Sequence, residues 1–389
     1  MRLAIKKNYI TIGLLFLFVH SGLIKWLPWP VDPTLLFFGL VLLMVPFMNY
    51  PKITIDKNTL IILILGAIFF VFLTLTAAYT SSEKYWQVKL IRILPHYATF
   101  LLPFIIIRTD SDFFVLKRIY ILFTFGVLIL LYWNYLTEGL KVILVSEEGR
   151  FVEPTRYPDY LSISFFLATS VILLLVRMRF FEYVVSFLAF LMIVILGGRG
   201  PLLFLTICLF IYNWGKLSAR QLLLIASSLT LIGLLIANTQ YFDRSTARFY
   251  SLFEFSEDKS ASERVTLIKR SLEIIKENPI FGTGIGGFSM AFNKTDQRLS
   301  SHNIFLEVIT ETGLLGLFIF VAFLFGVALV VLKYQPDGEY RKVLKFICLF
   351  YFLELLVSSI LEDLRIPFFW LGVTLSLFSN NKTFKDVRN

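Results

Sequence analysis

His302 stands in the run Ser301-His302-Asn303-Ile304-Phe305-Leu306-Glu307, where a long polar segment gives way to an apolar one. It is one of three histidines in 389 residues, and the only one set among arginines, lysines and acids. Imidazole titrates near neutral pH. A histidine at a membrane surface beside cations therefore suits chemistry on an anionic, lipid-linked substrate. Glu307 and Glu311 follow four residues apart, on one side of any helix that starts here. They could orient the imidazole or nearby arginines, or equally serve as structural partners of the basic loop.

A second polar group lies upstream. Ser260 and Glu263 have capping-box spacing and predict a helix through Asn278 that stops before Pro279. Val265, Ile268, Leu272 and Ile275 would form one apolar stripe, placing this helix on the membrane surface or on a helix bundle. Arg264 falls in the first turn, where the helix dipole disfavours a cation, so an anionic partner is expected. That partner could be a ligand or, as a plain surface bridge, Glu263 or Asp258. The segment Phe281-Gly282-Thr283-Gly284-Ile285-Gly286-Gly287-Phe288 has the look of a phosphate cradle. With no preceding strand and no Lys-Ser/Thr after it, a re-entering backbone that approaches a ligand or a helix fits better.

A third set is Lys89, Arg92 and His96, at helical spacing in an apolar run. Charges there are costly and face a cavity or a partner. They read either as a further anion contact or as pairs with Glu354 or Glu83. Arg199 sits alone in the tight turn Gly197-Gly198-Arg199-Gly200-Pro201 between two apolar runs. Arg150 and Arg156 flank an acidic loop with Tyr157-Pro158-Asp159.

The elements that must position these groups are membrane helices. The chain is 57% hydrophobic and 16% charged, with a mean hydropathy of +0.76. Soluble domains carry about 25% charged residues. Apolar runs near bilayer length predict an all-α polytopic integral membrane protein of about twelve spans. They fall at 9–27, 34–48, 59–79, 88–107, 113–136, 157–176, 181–197, 200–214, 219–237, 303–332, 343–361 and 366–379. The chain then divides into 1–237 with nine spans, an extracytoplasmic loop 238–302 holding the amphipathic helix, and 303–389 with three spans and a cytoplasmic tail. With a cytoplasmic N-terminus, nineteen Lys and Arg fall in inner segments and eight in short outer ones, as the positive-inside rule requires. This accounts for most of the +10 net charge without nucleic acid. The first run follows Arg2, Lys6 and Lys7 without a small-residue cleavage site and reads as a retained span. Cys208 and Cys348 lie in separate apolar runs and suit neither zinc nor a disulfide framework. Trp26, Trp29, Trp86 and Trp133 suit the interfaces. Arg199, the large loop and His302 then share the outer side, beyond reach of cytosolic nucleotides.

Over 190–320 the chain resembles the O-antigen ligase/polymerase superfamily of bacterial envelope glycosyltransferases. The resemblance rests on the Gly198-Arg199-Gly200 turn, on Arg264 followed by an amphipathic helix, Asn278-Pro279 and the glycine-rich loop, and on His302-Asn303 with Gly313-Leu314-Leu315-Gly316 downstream. It implies a GT-C-like enzyme of the cytoplasmic (inner) membrane that needs no metal or cofactor. Such an enzyme moves a glycan from undecaprenyl diphosphate to the hydroxyl of an acceptor glycolipid. In that chemistry Arg199 and Arg264, with Arg270 as a third, would hold the departing diphosphate. His302 would take the acceptor proton. Arg92, His96, Glu307 and Glu311 would bind substrate or support those that do. The Ser301-His302-Asn303 form with its Gly-x-Gly loop looks more like repeat-unit polymerases than ligases that attach finished polymer to lipid A-core. A reading of another class is a lipid-linked glycan transporter or flippase. Its inverted repeats and midplane charges are not visible in the sequence.

Overall fold

The computed structural model describes residues 2–25, 29–48, 55–138, 160–176, 179–213, 259–334, 338–357 and 360–386. Among them every regular element is helical. In chain order these are α1 (Arg2–Val19), α2 (Pro33–Met44), α3 (Lys57–Leu75), α4 (Tyr85–Ile106), α5 (Asp110–Glu138), α6 (Tyr160–Leu174), α7 (Phe180–Leu196) and α8 (Arg199–Asn213). Then follow α9 (Lys259–Glu277), the short α10 (Phe288–Asn293), α11 (Ile304–Lys333), α12 (Glu339–Val357) and α13 (Arg365–Asp386). Among the described residues four segments are long and apolar enough to cross a membrane: Lys57–Ala78, Tyr85–Ile106, Asp110–Thr137 and Ile304–Lys333. This is the α-helical membrane architecture expected from composition. The expected span 219–237, the loop around Arg150 and Arg156, and Trp26 lie outside the described residues.

The chain divides into two compact units. The first comprises residues 1–21, 31–116 and 260–389. Within it α4 packs along α13, and α11 packs along α3. The core is aromatic: Phe69, Phe100, Phe320, Phe323 and Phe368 are all fully buried. Phe100 meets Phe323 and Phe368 edge to face at 5.2 and 6.1 Å, an arrangement aromatic quadrupoles favour. Helix starts are pinned by side chains. Asp56 caps α3 through Thr59, and Asn303 caps α11 by accepting from Phe305 N and Leu306 N. Each such cap stabilises by roughly 1 kcal/mol.

The second unit comprises residues 22–30 and 117–259. In it α6 is buried along nearly its whole length and packs on α7 and α8. Gly197, at φ 70°, ends α7 in the left-handed conformation, and α8 begins at Arg199. The tight hairpin expected from Gly197 to Pro201 is therefore formed. Cys208 and Cys348 are both buried.

Candidate functional site

The polar groups of the first unit gather where α4 begins. The chain turns through Thr76–Ala78 and enters α4 at Tyr85. Lys84, at the cap position, gives the helix no side-chain cap. Asp296, distant in sequence, supplies it. Its carboxylate accepts from Lys84 N at 2.6 Å, Tyr85 N at 3.2 Å and Ser82 Oγ at 2.6 Å. Partial burial opposes its charge, but these donors outweigh that and hold the carboxyl below its usual range. A helix N-terminus favours the same anion.

One turn into α4, Lys89 is closed off from solvent. Its Nζ meets Glu307 Oε1 at 2.5 Å and Glu311 Oε1 at 2.7 Å, and all three side chains are no more than 1% exposed. Glu307 Oε2 also accepts from Leu361 N at 2.9 Å. The spacing of Glu307 and Glu311 on one face of α11 is what lets a single ammonium reach both. The two glutamates thus pair with Lys89 of α4, not with the basic loop.

Arg92 lies one turn further along the same face of α4. Its Nη1 donates to Glu362 Oε2 at 2.8 Å, and Arg298 Nε reaches the same oxygen at 3.2 Å. Tyr85 OH donates to Glu362 Oε1, and His96 Nε2 bonds the Glu362 carbonyl at 2.9 Å. Neither Glu354 nor Glu83, the expected partners, fills this role. Glu362 is reached because its short helical turn, Leu361–Asp363, lies over α4. Burial disfavours the Glu362 charge, but Arg298, Tyr85 and Arg92 together hold its carboxyl below the usual range. The arginine side chains are 47% and 57% exposed, while Glu362 is 4% exposed.

The glycine-rich loop does not form an open cradle. It is stitched into the corner between α3 and α4 on one side and into α11 on the other. Gly313 interrupts α11 with φ 68° and ψ −170°, a region essentially reserved for glycine. The break frees carbonyls that the helix would otherwise use. Thr283 N donates to Thr310 O at 2.8 Å and Gly284 N to Glu311 O at 2.9 Å. In return Leu314 N donates to Pro279 O at 2.9 Å and Leu315 N to Ile280 O at 3.5 Å. Thr80 Oγ1 and Thr76 Oγ1 bond Ile285 O and Ile285 N from the other side. A Cβ at Gly284, where φ is 80°, would lie 2.3 Å from Thr80 Cα. The glycines thus serve backbone-to-backbone approach to helices, the second of the two expected uses.

Arg264 lies exposed in the second turn of α9, not the first, because the helix already begins at Lys259 ahead of the expected Ser260 cap; it makes no hydrogen bond or ion pair to Glu263. Asp258 is outside the described residues. α9 docks through Leu267, Ser271 and Ile274 against Phe288 of α10. The expected stripe lies beside that face, and Val265, Ile268 and Leu272 remain 41–50% exposed. The apolar arc is wider than the four-residue stripe, and its Leu267–Ile274 edge makes the protein contact. Arg270 is tied to Glu273 at 2.6 Å and to Ala291 O at 3.0 Å. His302 is exposed just before the α11 cap, at φ 53°, a left-handed conformation uncommon for a non-glycine residue. Arg199, half-buried at the start of α8, belongs to the second unit.

In the first unit, the structure joins Arg92 and His96 through Glu362, and Glu307 and Glu311 through Lys89. Tyr85, Arg298 and Glu362 complete the Arg92 cluster and Asp296 caps α4 beside it, none of them evident from sequence. Their charge types were visible, but their pairing partners lie hundreds of residues away or across a loop. Among the described residues no group of three or more His, Cys, Asp and Glu could hold a metal ion.

Comparison with known proteins bears on the same region. A family model described as O-antigen ligase matches residues 184–321, which include Arg199, Arg264, the glycine loop, His302 and Gly313. An O-antigen polymerase of Salmonella muenchen is 27% identical over 202 residues. That alignment covers 49% of this chain and 50% of the relative, so the chain spans about half the length of the curated relative it matches. Together the two matches support the O-antigen ligase/polymerase superfamily.

Proposed function

We propose that this chain is a membrane glycosyltransferase that moves a glycan from undecaprenyl diphosphate to an acceptor sugar during surface-polysaccharide assembly. The observation that carries the reading is Arg264. It is an exposed cation in the second turn of α9, without an ion-pair partner among the described residues, inside the region matched by the O-antigen ligase family. A lipid diphosphate supplies the anion that an exposed guanidinium can bind in bidentate fashion.

In the proposed step the acceptor hydroxyl oxygen attacks the anomeric carbon. The bond from that carbon to the diphosphate oxygen breaks, and the diphosphate leaves with both electrons. Arg264 binds the charge that develops there, and the resemblance assigns Arg199 to the same anion. Arg270, already held by Glu273, is a weaker contributor. His302 receives the hydroxyl proton. The chemistry needs no metal, because fixed guanidinium groups stabilise the leaving group. The distribution of Lys and Arg along the sequence supports cytoplasmic termini, twelve spans and a reaction on the outer side. The polymerase reading is favoured over the ligase by the relative that matches, whose printed name is O-antigen polymerase.

The test is reconstitution with a defined lipid-diphosphate oligosaccharide, followed by identification of the molecule that carries the glycan afterwards. Arg264→Ala, His302→Ala and Arg199→Ala should each abolish transfer at normal membrane abundance. A well-expressed Arg264→Ala protein that still builds a normal polymer ladder would overturn the assignment. Product attached to a second lipid-linked unit identifies a polymerase, and product on lipid A-core identifies a ligase.

A further inference from the structure

We infer that Arg92 and Arg298 form a separate binding site for a phosphate-class anion, with Glu362 occupying it as an internal substitute when the anion is absent. The proposal rests on the glycosyltransferase reading for its biological ligand, the phosphate or diphosphate of the second, acceptor-side substrate. It rests on geometry alone for the site itself. Arg92 and Glu362 also lie outside the region that the family model matches.

Two guanidinium groups from separate segments converge on one carboxylate oxygen, Glu362 Oε2, at 2.8 and 3.2 Å. One carboxylate neutralises one of them. A guanidinium has five N–H donors. The Arg92 hydrogen bond and the Arg298 contact each use one nitrogen, and both lead to Glu362. The remaining donors belong to side chains about half exposed, while the carboxylate beneath them is almost fully covered. The arrangement is a fork open outward over a closed floor. A phosphate has the oxygens and the charge to bridge such a fork, and arginine binds it in bidentate fashion.

The surroundings favour release of the arginines by Glu362 over collapse of the site. Tyr85 OH holds the other carboxylate oxygen, and His96 holds the Glu362 backbone. The carboxylate therefore stays in place when an anion draws the guanidinium groups outward. Among neighbouring acids, Asp296 is engaged by Ser82 and two backbone N–H groups. Asp363 acts on Arg298 through its charge and tempers the site without filling it. Lys89, one turn away, is committed to Glu307 and Glu311.

The roles predict opposite signs, which a purely structural cluster would not give. Binding is measured on the full chain in lipid nanodiscs, in an Arg199→Ala/Arg264→Ala background that removes the two main donor contacts proposed above. The probes are inorganic pyrophosphate and undecaprenyl diphosphate. Arg298→Gln and Arg92→Gln should each weaken binding about tenfold or more. Glu362→Gln, which removes the competing charge and keeps the shape, should tighten it severalfold. Preference for the lipid probe assigns the site to a lipid-borne diphosphate, and equal binding assigns it to the free anion. Unchanged binding in both arginine variants, or weaker binding in a monodisperse Glu362→Gln protein, overturns the proposal. Because Arg199 and Arg264 are already absent, that result leaves the glycosyltransferase reading to its own transfer assay.

Discussion

Two ion clusters sit about one turn apart on α4 and differ in almost everything except residue type. At Lys89 an ammonium and two carboxylates are enclosed, none more than 1% exposed, and the one ammonium meets both carboxylates. At Arg92 two guanidinium groups share one carboxylate and stand about half in the open. Enclosed charges are costly to desolvate and worse to leave alone, so the first cluster holds α4 to α11 as a unit. In the second cluster the guanidinium groups stand half in solvent and can turn to another anion, while Tyr85 OH keeps its bond to the covered Glu362 carboxylate. Residue type alone does not separate a structural cation from a binding one. The protein packed above it does.

Lys89→Met should have the largest effect, because it leaves Glu307 and Glu311 buried without their cation. A loss of roughly 3–5 kcal/mol is expected, read as lost folded protein in the membrane fraction and a lower melting temperature in detergent. Adding Glu307→Gln and Glu311→Gln should recover most of it. An unaltered Lys89→Met melting temperature would show that the enclosed cluster does not hold the helices. Glu362→Gln should cost much less, about 1 kcal/mol, and melt close to the parent. A collapse comparable to that of Lys89→Met would erase the distinction between the clusters.

Acid provides the smallest and most local change. Asp296 and Glu362 both have carboxyls held below the usual range in the folded protein. Their contribution is therefore complete above the ordinary carboxylate pKa of about 4 and is lost as pH falls through their lower folded values. Protection factors for hydrogen exchange, with the intrinsic pH dependence divided out, should fall in residues 79–87 and 294–300 on acidification below about pH 4, and stay constant between pH 6 and 8. Loosening already at pH 6 would mean that other groups hold this corner.

Much of the architecture could be read from the sequence, because membrane helices announce themselves by length and apolarity. The expected 88–107 span appears as Tyr85–Ile106, and the loop helix ends before Pro279 as expected. The partnerships could not be read. Glu362 lies at the edge of an apolar run, and nothing local links it to Arg92 or Arg298. Asp296 caps a helix more than two hundred residues earlier in the chain. On α9, counting the stripe from Val265 missed Leu267 and Ile274, since an apolar arc does not reveal which edge meets protein. Gly313 and the glycines at 282–287 were legible as places of close approach. That they approach one another became evident only from the exchange of backbone bonds.

That exchange at Gly313 also imposes a chronology. Thr283 and Gly284 leave the ribosome before Thr310 and Glu311 exist, so the loop's N–H groups must wait in water for their acceptors. When α11 enters the bilayer it cannot arrive as one finished cylinder, because hydrocarbon tolerates no unpaired peptide group at the break. Membrane insertion of this helix and capture of the waiting loop are therefore a single event. A side chain at Gly313 that straightened α11 would ease its passage and leave the loop stranded.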